Sequence, residues 1–63
     1  MGLTYYKVKS FTRAKQIEDI FKKHGYDPEF KYDFAKNRYT IYTEDTTGED
    51  SKRINEDVHA LKR

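Results

Sequence analysis

The run FKYDFAKNRYTIY, Phe30 to Tyr42, carries five aromatic rings, each with polar or charged neighbours in sequence. Alternation of this kind has a period of two, the period of a strand with one buried and one wet face. Folded as a hairpin with Lys36-Asn37 as a two-residue turn, the run pairs Phe34 with Tyr39, Asp33 with Thr40, Tyr32 with Ile41 and Lys31 with Tyr42. Phe30, Tyr32, Phe34, Tyr39 and Ile41 then share one face, and Tyr42 points the other way. A slip of one residue would carry the apolar set to solvent, so the pattern argues for these faces. Asn37 tolerates the positive φ that such a turn needs, whereas Lys36 is an unusual first residue for a type I′ turn. A four-residue loop, Ala35 to Arg38, leaves the faces unchanged. Phe30, Phe34, Tyr39 and Ile41 are expected to be buried, with Phe34 central enough that truncation to Ala costs about 3–5 kcal/mol.

Upstream, LTYYKVK (residues 3–9) is rich in strand formers and predicts a first strand with Tyr6 and Val8 on one face. Tyr5, Lys7 and Lys9 fall on the other, where Tyr5, like Tyr42, is expected to be exposed. Ala14, Ile17, Ile20, Phe21 and His24 recur at three- and four-residue spacing, which predicts an amphipathic helix after a Thr12 cap. Glu18–Lys22 and Asp19–Lys23 pairs lace its outer face. Gly25 suits the left-handed position that ends a helix, and Pro28 forces the chain to extend. After the hairpin, Thr46 and Glu49 read as a capping box for a second helix, along which Ser51, Ile54, Val58 and Leu61 form one stripe.

The predicted order is β-α-β-β-α. A right-handed crossover from the first strand to the second leaves a gap that the third fills antiparallel. The expected fold is therefore α+β: a three-stranded antiparallel-type mixed sheet of order 1-3-2 with both helices on one face, ferredoxin-like but lacking the last strand. The first strand keeps an open edge, and the sheet keeps an open outer face.

Length decides how such a core is stabilised. Sixty-three residues make one domain, residues 1–63, and a chain this short buries only about 60% of its unfolded surface. There is no Cys to staple it and no Cys/His spacing of a structural zinc, so stability comes from packing or from a partner. Six Tyr and four Phe supply large buried areas at small entropic cost. The missing Cys suits a reducing compartment, MGLTYYKVK has no apolar run of signal-peptide length, and nothing approaches the roughly 18 apolar residues of a membrane span. A soluble cytoplasmic protein is the expectation.

Net charge is only +2, which demands no polyanionic partner, but residues 7–23 are mostly basic and residues 44–50 acidic. The chain lacks a Cys nucleophile, neither Ser has a His at motif spacing, and His24 and His59 fall on different helices without metal-ligand neighbours. TEDTTGED lacks the alternating ligands of a calcium loop. Neither catalysis nor a metal or other cofactor is expected. What remains is the outer sheet face, which by parity presents Tyr5, Lys7, Lys9, Lys31, Asp33, Thr40 and Tyr42. Tyr5, Lys7, Lys9, Lys31 and Tyr42 are the candidate binding residues. Rings flanked by ammonium groups stack on bases or sugars, while a protein partner would use the same Tyr and Lys stems or add a strand at the open edge. Exposed Tyr and Lys also simply suit a wet strand surface.

YKVKSF, a helix ending in KKHGY, and YTIYTED leading into a second helix resemble the layout of a SPOR domain, a bacterial module that binds peptidoglycan glycan strands on its open sheet. The resemblance spans most of the chain and implies glycan binding on that face. The β-α-β-β core also resembles the RNA-recognition fold, although RYTIYTED is not that family's central-strand motif. Taken together, the residues lead to the expectation of a non-catalytic binding or regulatory protein that modulates a macromolecular partner, above all another protein, in the manner of small phage- or plasmid-type inhibitors. Nucleic-acid or glycan binding on the Tyr/Lys face is the alternative. Homodimerisation through residues 4–9 would give a six-stranded sheet, opposed by the like charges of Lys7 and Lys9.

Overall fold

Local hydrogen bonding sets the element boundaries in the computed structural model, which describes residues 2–61. Positions 1, 62 and 63 of the expected domain lie outside the described residues. The elements are β1 (Gly2–Val8), α1 (Phe11–Lys23), β2 (Glu29–Asp33), β3 (Arg38–Thr46) and α2 (Gly48–Ala60). Ser10, not Thr12, caps α1: its backbone is extended and its hydroxyl accepts from the Arg13 amide at 3.2 Å. The helix therefore starts two residues earlier than expected, with Thr12 inside it. Its end matches the sequence reading, because Gly25 has φ +90°. The Tyr26 amide donates to the Phe21 carbonyl and the Gly25 amide to that of Lys22, both at 3.0 Å, which is the Schellman closure that a left-handed glycine permits.

β3 lies between β1 and β2 and runs antiparallel to both, giving the order β1-β3-β2. The expected α+β fold with an open sheet is the one observed. The hairpin pairing is displaced by two residues, however. Asp33 stands opposite Arg38, Tyr32 opposite Tyr39, Lys31 opposite Thr40 and Phe30 opposite Ile41. Asp33 Oδ1 accepts from the amides of Ala35 at 3.0 Å and Lys36 at 3.3 Å, closing an Asx-type turn, and Asn37 takes the left-handed φ of 55°. The loop is thus four residues, 34–37. A shift by two preserves the faces, but it puts Phe34 in the loop at 88% exposure, so its expected burial is not found.

The core lies between the sheet and both helices. Ala14, Ile17 and Phe21 of α1 and Ile54 and Val58 of α2 close over Ile41 of β3. Ile41 is flanked by Tyr6 across β1 and Phe30 across β2, and Phe30 and Tyr39 pack half-buried beside the core. The outer helix charges differ from expectation in one pair. Glu18 binds Lys15 at 2.7 Å and approaches Lys22 at 4.0 Å, whereas Lys23 turns to Asp57 of α2 at 3.9 Å and not to Asp19.

The second helix is capped by Thr47, whose hydroxyl accepts from the Asp50 amide at 3.0 Å; the expected Thr46–Glu49 box is absent. Thr46 has gone inward. Between the Gly2–Thr46 and Thr4–Thr43 pairs β3 carries one extra residue, with Asp45 at φ 61°, and this bulge reverses the alternation. Thr46 Oγ1 then donates to the Gly2 carbonyl at 2.8 Å and sits 2.6 Å from Thr4 Oγ1. Thr4 Oγ1 in turn lies 3.1 Å from Ser51 Oγ, so the buried hydroxyls satisfy one another.

Two side-chain links lock α2 to the end of α1. His24 Nε2 lies 2.8 Å from Asp57 Oδ2, and Tyr26 Oη donates to Asp50 Oδ2 at 2.5 Å. The His24 hydrogen bond, aided by Lys23, holds Asp57 below the ordinary aspartate value of 3.8; the Tyr26 hydrogen bond, aided by Thr47 and Arg53, does the same for Asp50. A carboxyl whose folded pKa is depressed stabilises the fold above its unfolded value and loses that contribution as pH falls through the folded one. Stability should therefore decline below about pH 4. Urea midpoints measured across that range are expected to fall less steeply in Asp57→Asn and in Tyr26→Phe than in the wild type.

Candidate functional site

The outer face is built by strand alternation on an open sheet, and the pairing sets its side chains in rows. Tyr5, Tyr42 and Glu29 form one row across β1, β3 and β2; Lys7, Thr40 and Lys31 form the next; Arg38 and Asp33 follow. The two tyrosines are thus direct cross-strand neighbours. Lys7 Nζ sits 5.9 Å from the Tyr5 ring centroid and Lys31 Nζ 5.6 Å from that of Tyr42, distances at which an ammonium is attracted to a ring face. Tyr5 is 54% exposed; Tyr42, on the central strand, is half-buried among these neighbours, less open than the alternation alone suggested.

Lys9 lies one residue past β1, at the bend into α1. There it lines a cleft of about 440 Å³ with Lys7, Arg13 and Arg38. Four of the five candidate residues, Tyr5, Lys7, Lys31 and Tyr42, therefore share the sheet face, and Lys9 stands at its corner. Leu3 and Arg38 belong to the same face and were missed, although parity with Tyr5 and Tyr42 marks both. Leu3 is 58% exposed and forms with Tyr5, Thr40, Tyr42 and Glu44 a shallow hollow. At the opposite end from the cations, Asp27, Glu29 and Glu44 surround Tyr42. The face is apolar in the middle, basic at one end and acidic at the other.

β1 has β3 on one side only, so its other edge presents unpaired backbone N–H and C=O groups. Among the described residues, no group of three or more His, Cys, Asp or Glu side chains is placed to hold a metal, and no helix is long and apolar enough to cross a membrane. Chemically the arrangement offers backbone pairing, ring stacking and charge, all of them means of binding. No protein-family model matches the chain, and comparison with curated proteins and with solved structures returns no match.

Proposed function

We propose that this chain is a non-catalytic binding protein that modulates another protein by holding an extended segment of it along β1. The observation that carries this reading is the character of that edge. Leu3 and Tyr5 project from a strand with one free side, each more than half exposed, beside Tyr42. Strand addition takes affinity from the backbone edge and specificity from alternate side chains, and here those side chains would meet the Leu3–Tyr5–Tyr42 hollow. The basic and acidic ends of the face would set the direction of the incoming segment. A second copy of the chain is one such segment: antiparallel pairing centred on Tyr6 sets Tyr5 opposite the second copy's Lys7 and keeps like charges apart.

Sedimentation at rising concentration and affinity capture from a nuclease-treated lysate test the proposal together. Tyr5→Glu and Leu3→Glu are expected to abolish either self-association or capture of a specific protein while the circular dichroism stays native. In the wild-type complex, β1 amides should exchange more slowly. A wild type that stays monomeric and captures nothing that the variants lose would overturn the reading.

A further inference from the structure

A second surface lies where α1 begins and the β2–β3 loop folds back, adjoining the end of β1 at Lys7. Five rings form a continuous chain there on the helix side of the sheet. Phe34 meets Tyr32 at 4.8 Å, Tyr32 meets Tyr39 at 4.7 Å, and Tyr39 meets Phe11 at 5.6 Å and Phe30 at 5.8 Å between centroids. Three of them are not covered: Phe34 is 88%, Phe11 55% and Tyr32 37% exposed. The fold does not require rings at these positions, since a loop residue and a first helical residue are ordinarily polar.

The same end of the molecule is positively charged. Lys7, Lys9, Arg13 and Arg38 line the cleft beside Ser10 and Thr12, the residues that bracket Phe11, and Arg38 precedes Tyr39 in β3. Among the described residues, ion pairs within 4.0 Å occupy Lys15, Lys22, Lys23, His24 and Arg53 and none of these four. Asp33, opposite Arg38, already accepts from two loop amides. The first turn of α1 has no acidic residue, whereas that of α2 has Glu49 and Asp50, so no helix-start carboxylate offsets the cations.

We infer that this end binds single-stranded nucleic acid, with backbone phosphates against Lys7, Lys9, Arg13 and Arg38 and unpaired bases on Phe11, Tyr32 and Phe34. Uncompensated cations alone would suit any polyanion. Exposed rings at the same end, Phe11 between the cleft residues Ser10 and Thr12, favour a ligand with both negative charge and accessible aromatic faces, and an unpaired strand offers both. An acidic protein segment without aromatic residues would satisfy the cations and leave the rings unused.

Fluorescence anisotropy with labelled oligonucleotides of about 12 nucleotides, single-stranded and duplex, tests this directly. The single strand is expected to bind at low salt, with log K falling against log salt at a slope of about −3 for four phosphate contacts. Phe34→Ala, in an exposed loop and harmless to the fold, should weaken binding by about 5- to 150-fold. Arg13→Glu with Arg38→Glu should flatten the salt slope, and Leu3→Glu, which disables the β1 edge two rows away from Lys7, should change neither. The inference fails if the natively folded wild type ignores the single strand at low salt. It also fails if duplex or polyglutamate binds equally well, or if Phe34→Ala binds as the wild type does.

Discussion

Phe21→Ala is expected to leave this protein largely unfolded at room temperature. Phe21 is completely buried on α1's inner face, in the helix's last turn, with Tyr6 packed edge-on at 6.1 Å between centroids. Removing such a ring forfeits its transfer energy and leaves a cavity, together about 3–5 kcal/mol. A domain of this length has only about 3–9 kcal/mol to lose, without disulfides to limit the unfolded ensemble. Phe34→Ala provides the control: the same chemical change at a loop ring should stay within about 0.5 kcal/mol. Urea unfolding followed by circular dichroism separates the two. Equal losses would mean that the loop ring is packed after all and the hairpin pairing is wrong.

Ile41→Ala should be nearly as damaging, at about 2–5 kcal/mol. Ile41 is the one apolar strand side chain among the described residues that is fully buried, and it touches the core between Tyr6 and Phe30 on its neighbouring strands. Its sequence neighbour Tyr42 faces outward, so Tyr42→Ala should cost clearly less. The order of the two urea midpoints reports which face of β3 is inside. A larger loss for Tyr42→Ala would invert the sheet and remove the basis of the Tyr5–Tyr42 site.

The candidate face was largely legible because it depends only on alternation. Tyr5 with Lys7 and Lys31 with Tyr42 follow from strand parity and from the sheet order, and parity also holds Leu3 and Arg38. The second surface was not legible. A Thr12 cap draws no attention to Phe11, which the structure makes the first residue of α1, and a two-residue turn places Phe34 in the strand and so in the core. Each error moved an exposed ring out of view. Arg13 and Arg38 lie far apart in sequence, and only the packing of α1 against the corner of the sheet brings them to one cleft.

The sequence by itself determined the kind, order and facing of every element. Helix stripes, strand alternation, Gly25 and the hydroxyl-rich helix starts act over a few residues, and their periods survive a register error of two. Tertiary structure alone decided the rest. It set the register of β2 against β3, which leaves residues 34–37 as the loop, and turned Thr46 inward by an extra residue in β3, which let Thr47 cap α2. It also gathered rings and cations at the start of α1. Those outcomes hang on which hydrogen-bond partners meet once distant segments are side by side, a competition between near-equal local options that periodicity does not resolve.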